Sequence, residues 1–407
     1  MTSRIRNLLI AVSVCLVMYV VVGGAMGRGE SSSEKTYRDL GVYTEVLSHI
    51  KMNYVTEPDL NKVTGGAIRG LLESLDPYST YFTPEQYKEY LAHPAPGPAS
   101  IGVTLSKKMG FSTVVAVLPG SPADKAGVKA GDLIDRIDDA PARELSVVQI
   151  DRLLAGQPGT QVSISVVREV RGEPQDLKMT REVIKPPADT SKLLEDNAAY
   201  VRVSTFNKGQ SAEIAAKLKD LISQGATKIV LDLRDCAGGE MNEAVKTASL
   251  FLDKGMVTYA VGQNFPRENF EAKPDGKVFE LPLAVLINQS TAGPAEVVAS
   301  AILGNKRGEV VGTRSFGMGV VQKPIAVGDG SGLLLSVAKY YRYDGKTIID
   351  NGIVPSVVQT ASNDSGNLDS GDVDSLEEPD NFGGKDDLQL MKALEVLKQA
   401  SAPVKTT

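Results

Sequence analysis

A multidomain α/β fold is predicted by three observations. The chain has 407 residues, 42% of them hydrophobic, enough for two or three packed units rather than one. Near residue 100 the apolar spacing changes from helical to short alternating strands, which suits a small β-domain. Near residue 198 it changes again, to strands that alternate with helices, which suits a layered α/β domain.

The first element is an apolar, uncharged run over residues 8–26, led by Arg4 and Arg6 and about long enough to cross a bilayer. It predicts a membrane anchor or a cleaved signal over residues 1–35 with the remainder outside the cytoplasm, in a cell envelope on the periplasmic side. Residues 36–95 form a helical region, with Leu40, Tyr43, Leu47 and Ile50 at helical spacing. Within it Asp76-Pro77 ends one helix, and Thr83-Pro84-Glu85 starts the next, with Thr as N-cap and Pro at N1. A Pro/Gly/Ala-rich hinge follows at residues 93–99.

Residues 100–183 carry the short strands, including 112–117 and 161–167, separated by PGSPADKAGVKAGD and AGQPGTQ. This segment resembles a PDZ domain of the circularly arranged bacterial kind. The resemblance puts Ser100, Ile101, Gly102 and Val103 at a carboxylate-binding loop and Gly131-Asp132 at a turn. A peptide's terminal carboxylate needs clustered backbone N–H donors, Gly102 lets a ligand backbone come close, and a free strand edge adds main-chain bonds. The alternative is a closed PDZ that serves only as a lid.

Residues 190–360 alternate: strand 199–203, helix 210–224, buried strand 228–234, then strands 283–287 and 309–311. An acidic linker, expected to be disordered, covers 361–387. A helix at 388–400 carries Leu390, Leu394 and Leu397, to dock on the body or on a second subunit.

Composition excludes several chemistries. The net charge is −6, but residues 362–387 hold nine Asp/Glu against one Lys, a local −8 that leaves +2 for the rest. No charged partner surface follows, and nucleic acid is not an expected partner. The two histidines, His49 and His93, lie upstream of the layered domain, so neither a Ser-His-Asp triad nor a histidine-rich metal site is supported. No cofactor is implied. Of the two cysteines, Cys15 falls in the apolar run, so Cys236 has no disulfide partner in a mature chain.

In order along the chain, SLDPYSTYFTPEQY, the PDZ segment, LDLRDCAGG, NQSTAGPAE, FGMGVVQ and KYYRYDGKTIIDNGIVP resemble the carboxyl-terminal processing, or tail-specific, serine-lysine proteases. The resemblance spans residues 37–398 and implies a layered α/β domain of the ClpP/crotonase kind. It places Gly293 where the family has its nucleophilic serine and Met318 where it has its lysine base. Glycine has no side chain to attack a carbonyl, and a thioether takes no proton near neutral pH. Met318 keeps the unbranched stem and fills the channel of a buried lysine. Gly293-Pro294-Ala295-Glu296 also reads as a plain helix start, with Pro at N1 and an acid at N3.

What remains is Gln322, matching the family glutamine that orients the lysine, and Gly238 and Gly239, whose N–H groups would help form an oxyanion hole. Ser290 and Thr291 read as turn formers, Cys236 as a buried inert thiol, Lys306 and Lys323 as solvated charges. The expected function is therefore binding of C-terminal or extended peptide segments by a catalytically inactive member of the family. The rival readings are an active endopeptidase with a relocated nucleophile and a non-catalytic oligomer partner of an active paralogue.

Overall fold

The computed structural model describes residues 18, 32–93, 97–108, 110–168, 172–184, 190–273, 276–349, 351–361 and 382–400. The expected anchor, Met18 aside, and acidic residues 362–381 lie outside the described residues. Among the described residues no helix is long and apolar enough to cross a membrane.

The chain divides into Met1–Ile68 and Arg69–Thr407. The first unit holds α1 (Ser32–Asn53), at the helical spacing expected, and the start of α2 (Leu60–Glu73). The helical region expected over 36–95 holds these helices and a third at 84–92. The division falls inside α2, and residues 69–93 belong to the larger unit. Just after α2, Asp76 Oδ1 accepts from the N–H groups of Tyr78 and Ser79, both at 2.8 Å, the Asx turn that ends the helical path. Residues Thr80–Phe82 form β1. Thr83 then caps α3 (Pro84–Ala92) through a reciprocal pair with Gln86.

The PDZ segment contains β2 (Val103–Lys108), β3 (Phe111–Val117), α4 (Pro122–Lys125), β4 (Leu133–Ile137), β5 (Ala140–Pro141), α5 (Val147–Leu154), β6 (Gln161–Val167) and β7 (Gln175–Thr180). Its antiparallel sheet has the order β2-β3-β4-β6-β7, with β5 on β4, so β2 is an edge strand. Ile101, Leu105, Val114, Ile134, Ile150 and Ile164 form its core.

The layered domain contains β8 (Ser191–Leu193), β9 (Ala198–Arg202), α6 (Gln210–Ser223), β10 (Lys228–Asp232), α7 (Met241–Ser249), β11 (Met256–Gly262), β12 (Phe265–Glu271), β13 (Leu283–Ile287), α8 (Pro294–Gly304), β14 (Glu309–Gly312), β15 (Val320–Ala326), β16 (Gly332–Tyr341), β17 (Val357–Val358) and α9 (Leu388–Ala400). One sheet runs β17-β14-β13-β10-β9-β8, parallel except for β8 against β9. Strands β10 and β13 are buried along their whole length, as strands covered on both faces must be. Alternate residues split between two cores. Val201, Ile229, Leu231 and Val285 meet Ile214, Ala244 and Val297 of α6 to α8. Tyr200, Val230, Leu286 and Val311 meet Leu390, Ala393 and Leu397 of α9. The last helix thus docks on the body of its own chain. A second, antiparallel sheet runs β1-β16-β11-β12 with β15 also on β16.

The acidic linker expected through residue 387 ends earlier. Asp387 is 3% exposed and pairs with Arg234, itself 2% exposed, at 2.7 Å. The Phe382 ring takes the guanidinium groups of Arg202 and Arg234 at 4.0 and 4.4 Å. These contacts give residues 382–387 enough to offset their ordering, which composition alone does not reveal.

Candidate active site and PDZ groove

The site is built where two parallel strands end. From β10 the chain turns through Asp235 (φ 54°) into Cys236-Ala237-Gly238-Gly239, and from β13 it turns through 288–293 into α8. Asn288 joins the two turns. Its Oδ1 accepts from the N–H groups of Asp235 (3.0 Å) and Ser290 (3.1 Å), and its Nδ2 donates to Asp235 Oδ1 (2.8 Å). Ala292 N–H donates to the Cys236 carbonyl (2.9 Å), and Phe206 N–H to the Gly238 carbonyl (3.3 Å). The loop of Gly238 and Gly239 is thereby held against the start of α8.

Gly293 is the N-cap of α8, with φ 61° and ψ −118°, a conformation that an L side chain rarely adopts. There is room nonetheless: a side chain added there would meet only the Met318 carbonyl oxygen, at 3.9 Å. The structure therefore brings Gly293 and Met318 together. What ties them is Glu296. Its Oε2 accepts from the N–H groups of Gly293 (2.9 Å) and Met318 (2.7 Å); its Oε1 accepts from Gly317 N–H (2.8 Å) and the Ser315 hydroxyl. The residue is fully buried. Burial pushes its carboxyl up to about 7, against four donors that favour the charged form.

Two further features remove main-chain chemistry from the helix start. Gly293 N–H is spent on Glu296, and Pro294 has no N–H. Gln322 is not turned to Met318 by any hydrogen bond; its Nε2 donates to the carbonyl of Tyr78 (2.8 Å), whose hydroxyl accepts from Ser106 on β2 (3.2 Å). Tyr78 so links the PDZ edge strand to β15. Sequence reading took Glu296 only for a helix-start acid and passed over Tyr78, because their partners lie 22 and 244 residues away.

The candidates for a relocated nucleophile are engaged or buried. Thr291 Oγ1 donates to the Leu233 carbonyl (2.8 Å), Ser290 is 2% exposed, and the Cys236 thiol is fully buried in the layered core. Lys323 is exposed over the Phe265 ring (5.0 Å), and Lys306 is exposed in a left-handed turn (φ 52°).

In the PDZ segment, Ser100 exchanges main-chain bonds with Glu182 (2.9 and 3.1 Å), and Ile101 is fully buried in the PDZ core. Gly102 has φ 82°, and the close approach that it permits is that of the chain's own Ser121, whose Cβ would lie 2.4 Å from an added side chain. The packing of the chain's own Ser121 is thus one reason for a glycine at this position. Val103 opens the edge strand β2.

A family model described as peptidase family S41 matches residues 197–359, and a PDZ domain model matches residues 113–168. A carboxy-terminal-processing protease of Bartonella bacilliformis is 32% identical over 336 residues, covering 81% of this chain and 76% of the relative. The chain belongs to the carboxyl-terminal processing protease family. The carboxy-terminal processing protease CtpA of Bacillus subtilis is 31% identical over 352 residues, covering 86% of this chain and 75% of the relative. The solved photosystem II D1 C-terminal processing protease superposes with a TM-score of 0.65 at 26% identity, over 78% of this chain and 92% of that one.

Proposed function

We propose that this member of the carboxyl-terminal processing protease family is catalytically silent and works by capturing C-terminal or extended peptide segments of envelope proteins, as an adaptor or regulator. The observation that carries the reading is the pairing of Gly293 with Met318 under one buried carboxylate. The loops are held in register while both side chains needed for acyl transfer are missing. Members of such a unit fail jointly, so losing both leaves little rate to recover. Burial of Cys236 and Ser290, and the Thr291 hydrogen bond, weigh against a relocated nucleophile. The arginine-led apolar run at residues 8–26 supports attachment to, or export across, a membrane. Self-association, or pairing with an active paralogue, fits the same role.

The test is incubation with an unfolded protein bearing an apolar C-terminus, followed by mass spectrometry. The unmodified chain should leave the substrate intact, and Gly293→Ser/Met318→Lys should cleave it slowly. Cleavage by the unmodified chain overturns the reading and redirects attention to Cys236, Ser290 and Thr291.

A further inference from the structure

We propose that Asp151 sets the selectivity of the PDZ groove, which takes a C-terminal peptide with a Lys or Arg two residues before its terminal carboxylate. This rests on the peptide-capture reading above and deepens it. Leu118 N–H donates to the Gly102 carbonyl (2.8 Å), so the alternation of an antiparallel pair puts the N–H and C=O of Val103 on the opposite side of β2. No strand pairs there among the described residues, which leaves room for an added peptide strand.

Helix α5 forms the other wall. Its C-terminal end is fixed beside the loop of Ser100 to Val103, because Ala99 and Gly156 exchange main-chain bonds at 2.9 and 3.1 Å. Val147, Asp151 and Leu154 recur at i, i+4 and i+7 and so share one stripe of α5. Val147 and Leu154 are buried in the PDZ core, while Val148, one position round, packs with Phe82 and Tyr87. Asp151 sits between the two.

This carboxylate has no hydrogen-bond or ion-pair partner for its side chain among the described residues. Its cationic neighbour is otherwise engaged: the Arg152 guanidinium donates to the His93 carbonyl and lies 5.1 Å over the Tyr90 ring. At the far end of β2, Lys107 is held by Glu73 (2.8 Å) and the Arg143 carbonyl. Burial alone pushes the Asp151 carboxyl up to about 7. Asp151 is part-exposed and has no donor of its own among the described residues, so a cationic ligand side chain that reaches it meets an unpaired acid.

The spacing picks the peptide position. Asp151 lies about 4.5 Å along the helix from Leu154, at 1.5 Å per residue. Side chains on one face of a strand repeat about every 6.6 Å. A terminal side chain set against Leu154 therefore brings the residue two positions earlier to Asp151, within reach of a long cationic side chain.

The experiment uses the full-length chain and fluorescent decapeptides with one apolar C-terminus and Lys, Ala or Glu at the third-last position, each also made with an amidated end. Binding is read by polarisation. The Lys peptide should bind about tenfold tighter than the Ala peptide, and the Glu peptide more weakly than either. Asp151→Asn should bring the Lys-to-Ala ratio close to one, and a cooperative urea transition reports that the variant is folded. Equal Lys and Ala affinities in the unmodified chain, or a preference that survives in Asp151→Asn, overturn the role of Asp151 while peptide capture stands. Binding indifferent to amidation, or absent for every peptide, overturns capture itself and the selectivity proposal with it.

Discussion

Glu296 concentrates the local order of the site in one side chain. Three N–H groups and one hydroxyl converge on it, from the start of α8 and from the loop before β15. A buried donor left without its acceptor costs about 1–3 kcal/mol, and here several would be stranded together. Glu296→Gln should therefore destabilise the protein by about 3 kcal/mol or more, read as a lower midpoint in urea with an unchanged slope. A change below about 1 kcal/mol would show that the two loops hold themselves. Gly293 was legible in the sequence as a helix start, and the structure gives it that place. Its left-handed backbone was not legible, because it depends on how two strand ends meet. Asp151 had a faint signal, an acid at an apolar slot between Val147 and Leu154, and meaning came only from its missing partner.

At the level of elements, strand and helix bounds followed the apolar patterns closely. The strands at 161–167 and 283–287 and the helix starting at 210 coincide with their predicted limits, because each is buried on one or both faces and periodicity reports burial. The end of the acidic stretch was misjudged for the converse reason: composition averages over residues, whereas one buried ion pair anchors a segment. The pairing of Asp387 with Arg234 makes a prediction. Burial would raise the Asp387 carboxyl, but Arg234 and two N–H donors hold it below the usual value of 3.8. Its contribution is thus present above pH 3.8 and is lost as pH falls through the lower folded value. Asp387→Ala leaves a buried guanidinium short of one partner and should loosen α9, with a loss of about 3 kcal/mol at pH 7. Faster amide exchange confined to residues 388–400 would be the signature, and unchanged protection there would count against it. Below pH 3.8 the unmodified chain and the variant should converge as Asp387 takes up its proton.

Within the larger unit, Tyr78 joins the PDZ edge to the layered domain's second sheet. Tyr78 is bonded through its ring hydroxyl to Ser106 and through its carbonyl to Gln322. Sequence order told which domains follow one another but not that residues 76–90 lie between them, since β1 pairs with a strand some 250 residues later. Tyr78→Phe should leave Ser106 without its bond and raise amide exchange in β2 while sparing β10 and β13. An unchanged β2 would mean that the ring's packing alone holds the join.

The missing N–H of Pro294 bears on how such a site could ever change back. A serine placed at 293 finds no base at 318, a lysine placed at 318 finds nothing to deprotonate, and either one faces a helix start whose nearest amides are absent or spent on Glu296. No single substitution gives a working step, so nothing rewards the first move toward repair. Under the reading proposed here, the silence of this cleft is a ratchet: a lineage that entered it is free to refine what the PDZ groove holds, because the way back runs through intermediates that have nothing to offer.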